Sequence, residues 1–139
     1  MASLTANHDG ERKDGILVSY KVAAGVLVYK GALVCLNAAG YAVPAADEDG
    51  LIFVGIAYER GDNAAGGDGE VRVRVWKVGS FRVSMPGAEL THLGLTAFVV
   101  DDNTVTPLKH PSQWDIAAGT IVEIPAEDVV RVLINNAVR

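Results

Sequence analysis

Glu70-Val71-Arg72-Val73-Arg74-Val75-Trp76 alternates without a break between charged and branched apolar side chains. Successive side chains of a strand point to opposite faces, so this stretch puts Val71, Val73 and Val75 on one face and Glu70, Arg72 and Arg74 on the other. That is the pattern of an antiparallel strand with one face in a core and the other in water. The surrounding composition agrees. The chain has 139 residues, of which 20 are Val and 19 Ala, against 3 Phe, 2 Trp and 4 Tyr. Branched residues lose rotamer freedom in helices and pack well on a pleated surface, so a Val-rich, aromatic-poor chain favours strands. Small Ala and Gly side chains let backbones approach closely, as a narrow barrel or a tight subunit seam requires.

Outward from this strand, toward the N-terminus, Gly61 to Gly69 reads as a flexible loop, and Leu51 to Tyr58 as an apolar strand buried on both faces. Asp47-Glu48-Asp49-Gly50 is a turn. Ala32 to Leu36, the turn Asn37-Ala38-Ala39-Gly40 and a return strand from Tyr41 to Val43 form a hairpin. Ile16 to Val22 is a further strand, set apart by the Ala24-Gly25 and Lys30-Gly31 breaks. Toward the C-terminus, Lys77 to Ser80 reads as a turn into a strand from Phe81 to Met85. Pro86 to Gly94 has the marks of a short helix, with Pro in its first turn and Gly at its end. Ala97 to Val100 and Val105 to Leu108 flank Asp101-Asp102-Asn103-Thr104, a hairpin turn by composition. Ser112-Gln113-Trp114-Asp115 has capping-box spacing and predicts a helical turn. Thr120 to Ile124 and Val129 to Ile134 close the chain. The expectation is an all-β fold, a small barrel or sandwich of about eight to ten short strands with one or two short helices. Residues 15–139 form a single β domain, and 1–14, with almost no apolar pattern, an extended N-terminal arm that orders only against a partner.

Charge and motifs exclude several classes of function. The net charge is −5, which gives no electrostatic footprint for nucleic acid. No apolar run reaches the roughly 18 residues of a membrane span, and the N-terminus has no apolar signal core, so the protein is expected to be made in the cytoplasm. The lone Cys35 lies in an apolar strand pattern and reads as a buried, inert thiol. His8, His92 and His110 have no partner at metal-ligand spacing. Asp62, Asn63 and Asp68 could offer oxygens to calcium, but they lack EF-hand spacing, and Asp and Asn are ordinary turn residues. The Gly-rich loop lacks the Gly-Lys-Ser/Thr ending of a phosphate loop and precedes a strand. No nucleophile elbow, catalytic pair or cofactor fingerprint is present, so neither an enzyme nor a cofactor is expected. Trp76 and Trp114, the largest apolar side chains, read as core or subunit-seam residues.

The order of landmarks resembles the small capsid cement (head decoration) proteins of tailed bacteriophages. The resemblance lies in Val22-Ala23-Ala24-Gly25, Tyr29 to Val34, Gly40 to Ala45, Phe53 to Ala57, and Asp62-Asn63 with Gly66-Gly67-Asp68-Gly69-Glu70. It continues through Val71-Arg72-Val73, Gly79-Ser80-Phe81, Leu93-Gly94, Phe98 to Asp102 and Gly119 to Val122. Each piece alone is unspecific; their order and spacing carry the likeness, which covers most of the chain from Tyr20 onward. It implies a β-barrel-like fold, frequently trimeric, on the outer surface of the capsid in the virion. There it would clamp neighbouring major capsid protein subunits against the pressure of packaged DNA. Candidate contact residues toward the capsid or other subunits are Asn7, His8, Arg12 and Lys13 of the arm, with Trp76 and Trp114. The rivals are another virion part, such as a tail-tube or baseplate β-domain, and a carbohydrate-binding β-module. The latter wants exposed aromatics, which the sequence scatters singly. An enzyme on a trimeric barrel would need polar residues gathered at a seam.

Overall fold

A computed structural model describes residue 3, residues 5–7, 15–108 and 113–135. Among these are twelve strands and a single three-residue 3-10 turn. The strands are β1 (Leu17–Lys21), β2 (Val26–Val28), β3 (Leu33–Leu36), β4 (Ala42–Pro44), β5 (Ile52–Ala57) and β6 (Gly61–Asn63). They continue as β7 (Arg72–Trp76), β8 (Val78–Ser84), β9 (Thr96–Val99), β10 (Val105–Thr106), β11 (Ala117–Ala126) and β12 (Val129–Asn135). The first sheet has the order β1-β7-β5-β3-β4, the second β10-β9-β11-β12-β8, and β2 and β6 pair as a small third sheet. The fold is therefore all-β and sandwich-like, not a closed barrel. The barrel alternative, and the barrel-like shape implied by the resemblance, give way because the edges of each large sheet meet only at a single bridge, Val22 to Ala42 in the first and Ser84 to Thr104 in the second, and not along a continuous ladder.

The first sheet is the middle layer, and β3 and β5 show why. Leu33 and Cys35 join the core shared with the second sheet, while Val34 joins a second cluster beneath the β2-β6 ribbon. Phe53 and Ile56 on β5 likewise face the first cluster, and Val54 and Ala57 the second. The same-face spacing of three reflects a slip in the pairing with β3, where Val34 faces Gly55 and Cys35 faces Phe53. Apolar residues on both faces are what a strand buried on both sides requires, and Leu51 to Tyr58 was expected to be one. In β7 the alternation holds as expected: Val73 and Val75 are fully buried in the second cluster, and Arg72 and Arg74 are exposed.

One residue, Lys77, carries the chain from β7 in the first sheet to β8 in the second. The turn expected at 77–80 is absent because Val78 to Ser80 pair with Leu133 to Asn135 and are already strand. Lys77 is held at this crossing by donating to the Tyr20 hydroxyl at 2.8 Å and the Val54 carbonyl at 2.6 Å. The helix expected over Pro86 to Gly94 is only the 3-10 turn Leu90–His92. Tertiary contacts override the local signal: Met85 N–H bonds to the Asp128 carbonyl, and Gly94 N–H to that of Ile121. β2 and β6 were not anticipated, since three residues between glycines are too few to show a period. They raise the strand count above the eight to ten expected. No helical turn forms at Gln113 and Trp114, whose amides both bond to the Asp47 carboxylate. Residue 112 lies outside the described residues, as do 8–14 of the arm.

Candidate functional site

Two segments of the resemblance, some 40 residues apart in the chain, meet at Asn63. Its side-chain amide is buried and donates to the carbonyls of Val22 (3.1 Å), Ala23 (3.0 Å) and Gly67 (2.8 Å). Asp68 accepts the Ala24 N–H at 2.8 Å, and Asp62 accepts the Ala64 N–H at 3.1 Å. The three residues weighed for calcium thus aim their polar atoms in different directions, two at backbone amides and one at carbonyls. Among the described residues no group of three or more His, Cys, Asp or Glu side chains is placed to hold a metal. Asn63 Oδ1 has no hydrogen-bond partner and lies under Gly66, where a Cβ would overlap it. The cluster reads as a structural knot that closes the 64–70 loop over the β2-β6 ribbon. Cys35 is fully buried, and burial pushes its thiol up to about 12, against a weaker opposing pull from an Ala46 backbone hydrogen bond. At neutral pH it is a protonated core side chain, inert as a nucleophile.

Of the expected contact residues, Asn7 is exposed, and His8, Arg12 and Lys13 lie outside the described residues. Trp114 is exposed on its Asp47-anchored bend. Trp76 is half-buried, edge-on to Tyr58 with ring centroids 5.1 Å apart and tilted against Phe81 at 6.4 Å. The two tryptophans do not share a surface patch with each other in any contact the structure shows.

The apolar side chains that do gather at the surface were not singled out from sequence. Leu90, 77% exposed, with Leu93 and Leu95, follows the 3-10 turn. This segment is tied to β11 by Gly94 N–H to Ile121 O at 2.8 Å and Ile121 N–H to Leu95 O at 3.0 Å. It therefore runs beside Val122, which is also exposed. Val122 is the extra residue of a bulge, because Ile121 pairs with Val132 and Glu123 with Arg131. The bulge turns Val122 and Glu123 both outward, and exposed Leu133 on β12 lies diagonal to them. On the other flank of the turn, His92 and Leu108 line a cleft of about 360 Å³ with Pro86, Val100 and Thr104. The result is an apolar rim along one end of the second sheet. Leu90, Leu93 and Leu95 do not share a helical face, and it is the path of the chain after His92 that brings all three to solvent.

No protein-family model matches the chain, and no curated protein matches it. Among solved structures, the N base of the head fiber protein gp8.5 of bacteriophage phi29 is similar at 19% identity, over 86% of this chain and 95% of that one, with a TM-score of 0.48. A likeness of that degree bears on neither the function nor the partners of this chain.

Proposed function

We propose that the chain is a non-enzymatic structural protein of a phage virion, bound to the outside of the capsid and stabilising contacts between major capsid protein subunits. The observation that carries this reading is the apolar rim of Leu90, Leu93, Leu95, Val122 and Leu133. Single exposed apolar side chains are ordinary on a monomer; it is their gathering on the 90–95 segment and the strand beside it that supports a surface another protein covers. Fully burying an exposed leucine contributes roughly 1.5–3 kcal/mol, and of these residues Leu90 has the most exposed surface to give, the others being already more than half buried. The resemblance to cement proteins supports the same reading, since its segments build the strands and the Asn63 knot that shape the domain. On this view the partners are the major capsid protein and other copies of the chain, as a trimer. The N-terminal arm, with Asn7, His8, Arg12 and Lys13, adds to attachment, and neither nucleic acid nor membrane takes part.

Electron microscopy of heads carrying the protein, compared with heads lacking it, tests the location. Density of trimer size on the outer shell at threefold positions is the expected result. Density confined to the tail or baseplate would assign the chain to that rival class instead. Light scattering of the purified protein addresses self-association: a trimer mass supports the proposal, and monomer mass in solution with monomer-sized density on heads removes that part of it.

A further inference from the structure

Four aromatic and cationic side chains that the sequence scatters meet at one cleft on the far side of β5 and β7. Lys30, Tyr58, Glu59, Arg60 and Trp76 line a space of about 440 Å³, within the range of small-ligand sites. A second hollow of about 210 Å³, lined by Tyr29, Lys30, Gly31 and Asp102 among others, shares Lys30 with the first. Tyr29 is 58% exposed and Tyr58 sits partly open at the mouth, so two ring surfaces are presented to solvent.

The charges around these rings fall into two groups. Arg74 is committed: its guanidinium donates to both carboxylate oxygens of Glu59 at 2.9 Å and covers one side of the Tyr58 ring at 4.8 Å. Lys30 and Arg60 are available. Lys30 has no ion pair among the described residues. Arg60 meets Asp62 only at 3.6 Å, with both side chains more than half exposed, and rests over Tyr29 at 5.8 Å. Glu59, Asp62 and Asp102 balance the three cations around the two hollows, so the donors left open to a bound group are those of Lys30 and Arg60, beside aromatic rings.

We propose that this cleft binds an acidic saccharide, a pyranose that carries a carboxylate. The apolar C–H face of the sugar ring would lie on the open side of Tyr58, with Trp76, nearly perpendicular to it, as the adjoining wall and the carboxylate meeting Arg60 and Lys30. The tyrosine hydroxyls and the backbone of Gly31 would offer partners for ring hydroxyls, and Lys30 would span two adjoining sugar units. Arginine and lysine suit a carboxylate, and ring faces suit the C–H surface of a pyranose; an acidic peptide would satisfy the first requirement and not the second. The site is separate from the apolar rim, so it stands or falls independently of the capsid-binding reading.

The test uses full-length protein carrying Trp114→Phe, which leaves Trp76 as its only tryptophan. Its emission is followed on titration with oligogalacturonate and sialyllactose, with neutral lactose and with poly-glutamate. The expected result is a saturable change with at least one acidic saccharide. Lactose and poly-glutamate would bind at least tenfold more weakly, and Lys30→Gln with Arg60→Gln would weaken the acidic saccharide at least tenfold. Both substitutions are at exposed positions, and an unchanged melting temperature verifies the fold. No response to either acidic saccharide overturns the proposal, as does binding unaffected by the double substitution. Poly-glutamate binding as tight as the saccharide would show an acidic-peptide site instead.

Discussion

At position 63 an amide side chain satisfies groups that no apolar or acidic residue of its size can satisfy. Its Nδ2 faces the carbonyls of Val22, Ala23 and Gly67, two of them on a segment some 40 residues away. Asn63→Ala removes a buried donor from three acceptors, and each unmet buried group costs about 1–3 kcal/mol. A loss of about 2–3 kcal/mol is expected, since water can enter the space left behind and one carbonyl, that of Val22, keeps a second donor in Gly69 N–H. Thermal denaturation would show it as a fall in Tm of several degrees, and an unchanged Tm would mean that the knot is not holding the loop. Glu59 offers a pH test. Hydrogen bonds from the Arg74 side chain and backbone pull its carboxyl from 4.5 down to about 2. A folded-state value below the unfolded one contributes stability above the unfolded value, and that contribution disappears as pH falls from 4.5 toward 2. Glu59→Gln should therefore be slightly less stable than wild type at pH 7 and equal to it near pH 2. The gap stays small because both partners face solvent. Melting curves at a series of pH values check the convergence.

Among the elements, β7 and β5 were legible from sequence because each has enough residues to display a period. Strict alternation in Arg72–Trp76 and an unbroken apolar run in Ile52–Ala57 are the signatures of one-sided and two-sided burial, and both strands behave that way. The hairpins β3-β4 and β9-β10 were legible from their turn residues, and β11 and β12 as two closing strands whose pairing the sequence did not declare. What escaped was set by partners distant in sequence. β2 and β6 are strands only because they pair with each other, and Val78-Gly79-Ser80 is strand only because β12 lies alongside. Pro86 to Gly94 lost its helix to hydrogen bonds with Asp128 and Ile121. Of the candidate contact residues, Trp114 is exposed and Trp76 half-buried, while Leu90, Leu93 and Leu95 were not singled out, since a short-helix reading of Pro86 to Gly94 does not fix which side chains reach solvent. Gly55 marks a further long-range demand. It sits in β5 at φ +142, opposite an irregularity in the pairing with β3, and a Cβ there would overlap the Trp76 carbonyl oxygen. Gly55→Ala must both strain the backbone and push β7 away, so a loss of about 2–4 kcal/mol is expected by chemical denaturation. A stability within about 0.5 kcal/mol of wild type, the ordinary range for harmless substitutions, would show that the β5-β7 contact is looser than described.

For the whole molecule, three layers of short strands give two buried apolar cores and leave leucines exposed on the 90–95 segment and on β12. The cores account for stability; the rim accounts for why so small a domain would carry leucines into water. Charge on the rim should therefore spare folding and abolish attachment. The most direct measurement is co-sedimentation of the protein with expanded heads that lack it, comparing wild type with Leu93→Asp and with Val122→Asp. Both positions are exposed, so both variants should melt within a few degrees of wild type. The account predicts that wild type saturates the heads and that each variant binds at least tenfold more weakly. Variants that saturate the heads as wild type does, or a wild-type protein that does not sediment with heads at all, would contradict it.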